Sequence, residues 1–64
     1  MIRVNGEARD FVDENVTELV ARLGVAPRGV AVAVDGDVIA RSAWTRTRIH
    51  DGAVIEIVTA VAGG

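Results

Sequence analysis

One stretch, Asn15 to Gly24, constrains the fold more than any other. Val16, Leu19, Val20 and Leu23 recur at i, i+3, i+4 and i+7, which on a helix makes a single apolar stripe. Asn15 can cap the first free N–H groups, and Glu18 stands where a capping-box carboxylate reaches back. Asp13 and Glu14 add negative charge at the positive end of the helix dipole. Gly24 takes the usual terminating position. A one-sided helix must bury its stripe, and the rest of the chain alternates like strands, so the helix is expected to lie on a sheet.

The chain has 64 residues, which allows one domain. A domain this small buries only about 60 % of its unfolded surface, so its core has little to spare. Met1 to Val4 reads as a strand, Asn5-Gly6 as a two-residue turn, and Glu7 to Val12 as a polar edge strand. Val30 to Val34 alternates valine with alanine, so the valines suit the core and the alanines leave a flat opposite face. Asp35-Gly36-Asp37 turns the chain into a short strand, Val38 to Ala40. Ala53 to Thr59 is the last strand, and its near-continuous apolar run suggests cover on both faces or a central place. Ile55 and Ile57 share one face, and Val54, Glu56 and Val58 the other.

Between the last two strands, Arg41 to Arg48 is expected to be irregular. Its tryptophan, Trp44, either covers an edge of the core or meets a partner. Arg41, Arg46 and Arg48 make a solvated face or a basic rim for an acidic partner. Asp35 and Asp37 fit turn residues better than a cation site, and no metal is expected. His50 precedes Asp51-Gly52 with no nucleophile in a motif around it, so it reads as part of a turn and not as a catalyst.

The charge balance is nine acidic residues against seven arginines, net −2, which is no footprint for nucleic acid. No apolar run approaches the ~20 residues of a membrane span, and Met1 to Val4 lacks the regions of a signal peptide, so a soluble cytoplasmic protein is expected. Cysteine is absent, so any sulfur chemistry must use sulfur brought from elsewhere.

The sequence closes with Thr59-Ala60-Val61-Ala62-Gly63-Gly64. Two glycines lack Cβ atoms and fit a channel too narrow for other residues. A carboxylate is a poor electrophile, and ATP can convert it to a reactive acyl-adenylate. The division expected is a body over 1–58 and a flexible tail over 59–64, with Gly64 as the activated residue and Val61, Ala62 and Gly63 threading into a partner. Ala31, Ala33 and Val58 share the face opposite the core and are candidates for docking.

This order of elements resembles the β-grasp, or ubiquitin-like, fold, an α+β class with one helix on a small mixed sheet. Within it the chain resembles the sulfur-carrier family of bacterial thiamine biosynthesis over essentially its whole length. The resemblance is carried by Met1-Ile2-Arg3-Val4-Asn5-Gly6, Val16-Thr17-Glu18-Leu19-Val20, Val32 to Ile39, Arg41-Ser42-Ala43-Trp44, Asp51 to Ile57 and Val61-Ala62-Gly63-Gly64. Ala40 departs from the proline common before the arginine. The resemblance implies a non-enzymatic carrier with no bound cofactor. An E1-like adenylating enzyme would use ATP-Mg on the Gly64 carboxylate. A persulfide from a cysteine desulfurase or similar donor would leave a thiocarboxylate there, and thiazole synthase would consume its sulfur. The Gly-Gly end also suits the small subunit of molybdopterin synthase, a carrier for another sulfur metabolite, or a ubiquitin-like modifier of proteins. An inert binding module is a further alternative.

Overall fold

The computed structural model describes residues 1–59. The helix forms where its signals stand: α1 is Val16–Arg22, with Asn15 as its N-cap. Asn15 Oδ1 accepts the Glu18 N–H at 2.8 Å, and the Glu18 carboxylate accepts the Asn15 N–H at 2.9 Å. Together these satisfy two donors that the helix itself cannot. The chain leaves α1 through Gly24, at φ 74°, a conformation that costs glycine little.

The strands are β1 (Ile2–Val4), β2 (Glu7–Arg9), β3 (Val30–Val34), β4 (Asp37–Ile39) and β5 (Val54–Thr59). They form one sheet in the order β2-β1-β5-β3-β4. β1 and β5 are parallel, and the other pairs are antiparallel. This is the expected α+β, β-grasp architecture, with α1 across one face. Both hairpins turn on two residues with positive φ, Asn5-Gly6 at 50° and 84° and Asp35-Gly36 at 52° and 86°. Such turns match the right-handed twist of the strands they join.

Val16, Leu19 and Val20 from α1 meet Ile2, Val4, Val32, Val34 and Ile55 from the sheet, all at most 8 % exposed. Ala53, Ile49 and Trp44 close the remaining side. Glu14 is 5 % exposed just before α1, and its carboxylate takes three hydrogen bonds from the Arg22 guanidinium, at 2.8 to 3.2 Å. That fork answers the cost of burying a charge.

Two expectations change and two are narrowed. The second strand stops at Arg9, because the chain must leave the sheet to reach the helix start; Phe11 and Val12 lie in that crossing, 36 % and 39 % exposed. Of the two readings of the apolar run in β5, the central place holds, and the face bearing Val54 and Val58 is exposed. Arg41–Arg46 is a 3-10 helix and not irregular chain. Its short turns bring Trp44 into the core, where Nε1 donates to the Ile39 carbonyl at 3.1 Å. Thr59, read on sequence both as the end of the last strand and as the start of the tail, is the last residue of β5 and pairs with Val30.

Candidate functional site

The residues expected to carry chemistry, Gly64 with Gly63, Ala62 and Val61 before it, lie outside the described residues. What the structure gives is their root. β5 runs between β3 on one edge and β1 on the other, and Thr59 is its last residue. On the β3 side the pairing continues to Val30–Thr59. On the β1 side the ladder runs through Arg3 N–H to Ala53 O, at 3.0 Å, and Asn5 N–H to Ile55 O, at 2.9 Å. The Asn5 side chain then takes one further step. Its Oδ1 accepts the Ile57 N–H at 2.8 Å, and its Nδ2 donates to the Ile57 carbonyl at 3.1 Å. A groove of about 310 Å³ opens beside this end of β5, lined by Val4, Asn5, Leu23, Val25, Ile57 and Thr59.

The second candidate is the face of the sheet turned from α1. Ala31 pairs with Val58, and Ala33 with Glu56 on one side and Val38 on the other. Since side chains alternate along each strand, Ala31, Ala33, Val38, Val54, Glu56 and Val58 share this open face. Val38 is 76 % exposed, Val58 61 % and Val54 48 %. Sequence reasoning placed Ala31, Ala33 and Val58 here. It missed Val38 as their neighbour, because only the β3–β4 register brings Val38 opposite Ala33. The alanines keep the middle of the patch low, and the valines raise its margins.

The remaining polar candidates have local partners. Arg41 lies over the Trp44 ring, 4.5 Å from its centroid, and donates to the Pro27 carbonyl at 3.1 Å. Arg46 donates to the Ser42 carbonyl, and Arg48 pairs with Asp13 at 2.6 Å. Of the two readings of Trp44, the buried one holds. Asp35 anchors a turn: its Oδ1 accepts the Val54 N–H at 2.9 Å and its Oδ2 lies 2.6 Å from His50 Nε2. The Val54 N–H, and next His50, lower the Asp35 pKa. Asp35, and next the Asp51 carbonyl, raise the His50 pKa. Asp51 also holds the N-terminal amine, which lowers its own pKa. These contacts tie together the β3–β4 turn, the start of β5 and the chain start. Among the described residues, no helix is long and apolar enough to cross a membrane.

The sequence profile of the ThiS family matches residues 2–64. A thiazole synthase of Paramagnetospirillum magneticum is 36 % identical over 62 residues, which is 95 % of this chain and 19 % of that protein. The chain therefore spans about a fifth of that relative's length. Among solved structures, the crystal structure of the thiamine biosynthesis protein ThiS from Geobacter metallireducens matches with a TM-score of 0.81 and 36 % identity, over 98 % of this chain and 97 % of the other. A solution NMR structure of a thiamine biosynthesis protein from the same organism matches with a TM-score of 0.77 and 34 % identity, over 98 % and 86 %.

Proposed function

The chain belongs to the ThiS family, and on that premise we propose that it is a sulfur carrier for thiazole formation in thiamine biosynthesis. One observation carries the reading: the family match runs to residue 64 and so includes Gly63-Gly64. The thiazole synthase relative adds support for the consumer, since a stretch similar to 95 % of this chain occurs inside that protein.

In this reading the chain is a co-substrate, and partner enzymes supply the catalysis. A carboxylate oxygen of Gly64 attacks the α-phosphorus of ATP in an E1-like adenylating enzyme, with Mg²⁺ on the phosphates, and pyrophosphate leaves. The terminal sulfur of a protein persulfide, charged by a cysteine desulfurase or similar donor, attacks the acyl carbon and AMP leaves. A thiol then attacks the donor sulfur of the resulting acyl disulfide, forming a disulfide and releasing the Gly64 thiocarboxylate. Thiazole synthase takes the sulfur from there. Val61, Ala62 and Gly63 thread into each partner, and Ala31, Ala33 and Val58, with Val38, dock against its surface. An apolar patch of this modest size gives weak, reversible binding, as a shuttle between enzymes needs.

The test is intact mass after incubation with ATP, magnesium, a sulfur donor and lysate of the protein's own host. The expected product has one oxygen replaced by sulfur, located on Gly64 by fragmentation, and is not formed after deletion of Gly64. Gly64-dependent conjugates on other proteins, with no such mass change, would instead make the chain a protein modifier. Neither product, in a lysate active with a known carrier, would leave an inert binding module.

A further inference from the structure

The Asn5 side chain occupies a place that main chain would otherwise fill. In a parallel ladder, the step after Asn5 N–H to Ile55 O is Ile57 N–H to the Asn5 carbonyl, and then residue 7 N–H to the Ile57 carbonyl. The chain cannot supply these, because it turns away at Asn5-Gly6 with both residues at positive φ. The Asn5 amide supplies both instead, with Oδ1 standing for the carbonyl and Nδ2 for the N–H. A primary amide is the side-chain group that resembles a peptide unit, and asparagine is also the non-glycine residue that best tolerates positive φ.

The consequence falls on the strand that leads to Gly64. Through Ile57, β5 is held on both edges; beyond it, among the described residues, Thr59 is held only by its pairing with Val30. Without the amide, the last residue held on both edges would be Ile55. Two more residues, about 6.6 Å of extended chain at ~3.3 Å each, would then be held from one side only. We propose that Asn5 is a positioning residue for the carrier reaction: its side-chain amide fixes the point and direction from which the chain runs out to Gly64. This rests on the carrier reading above. A body docked on its partner delivers its tail at an effective concentration set by the reach and stiffness of the connecting chain, so loosening the root lowers delivery without weakening docking.

The experiment compares wild type with Asn5→Gly and Asn5→Asp as substrates of the host's E1-like adenylating enzyme, following ATP-dependent pyrophosphate release. Glycine keeps the positive-φ turn and removes the amide. Aspartate keeps the acceptor for Ile57 N–H and loses the donor. For Asn5→Gly, kcat is expected to fall roughly five- to tenfold, as two modest hydrogen bonds allow, with KM for the carrier within about twofold. Asn5→Asp should fall between. Asn15→Ala, which removes the helix cap far from β5, is the control and should leave kcat unchanged. Backbone amide exchange by NMR is read in parallel, and the Ile57 N–H should exchange faster in Asn5→Gly and remain protected in Asn5→Asp. An unchanged kcat in folded Asn5→Gly overturns the proposal, and so does a raised KM at constant kcat, which would mark a purely structural role. If wild type is itself inert in an assay where a known carrier reacts, the carrier reading fails, and the positioning role falls with it. If wild type reacts and Asn5→Gly equals it, only the positioning role falls.

Discussion

On the helix side of the sheet, Ile2, Val32 and Ile55 are at most 1 % exposed, whereas on the other side Val38, Val54 and Val58 are 76, 48 and 61 % exposed. The same sheet supplies both sets, and β5 contributes to each. The difference lies in what covers them. α1 brings three fully buried residues to one face, and the 3-10 helix adds Trp44 over its edge. Among the described residues, both helical elements lie on that side. A 64-residue domain is stable by only about 3–10 kcal/mol, at the usual 0.05–0.15 kcal/mol per residue. Its closed face must therefore be complete, while its open face is free to be shaped for contact.

The contrast breaks most completely at Trp44. Trp44→Ala removes the largest buried side chain and its bond to Ile39, and should cost about 3–5 kcal/mol. That is a large share of the whole stability, so the urea midpoint followed by far-UV circular dichroism should fall steeply. A Trp44→Ala protein with the wild-type midpoint would mean that the closed face tolerates a gap. Next is Arg22→Ala, which leaves the buried Glu14 carboxylate without its fork and should cost about 1–3 kcal/mol by urea denaturation. On the open face the order of effects reverses. Ala33→Arg should change stability by no more than about 0.5 kcal/mol, since the side chain points to water beside Glu56. Titration calorimetry against thiazole synthase or the adenylating enzyme should nevertheless show binding weakened about tenfold or more. Unchanged binding would remove this face from the docking site.

The smallest expected effect is that of pH on the His50–Asp35 contact. His50 has its pKa raised on folding, so its contribution is complete below the ordinary value of 6.5 and fades as pH rises through the raised value. Asp35 has its pKa lowered, so its contribution is present above 3.8 and fades as pH falls through the lowered value. Melting temperature should dip slightly from mildly acidic to alkaline pH, and His50→Gln should lack that dip. Both groups are well exposed, which keeps the effect small.

The helix was readable to the residue because its signals are local: a cap, a box, a stripe and a terminating glycine. The hairpin turns were readable for the same reason. Arg41–Arg46 was not, since a 3-10 helix with one buried residue has no repeating stripe. Its organising contacts, Trp44 to Ile39 and Arg41 to Pro27, depend on neighbours that only the fold supplies. The site divides the same way. Ala31, Ala33 and Val58 followed from alternation alone, but Val38 needed the strand register. Asn5 looked complete as a turn residue, and its grip on Ile57 spans 52 positions of sequence.

The central place of β5 also orders events during synthesis. The β1–β2 and β3–β4 hairpins contain only local pairings and can form as the chain emerges. Each leaves an open edge, and both edges are filled by the same strand, Val54–Thr59. A chain interrupted before that strand therefore holds two unjoined hairpins, with edges that invite wrong pairing and proteolysis. Only when Val54–Thr59 has emerged can it join them into one sheet. Completion of the body and arrival of the segment leading to Gly64 are thus the same event, so a copy interrupted before β5 has no folded surface with which to bind the partners proposed above.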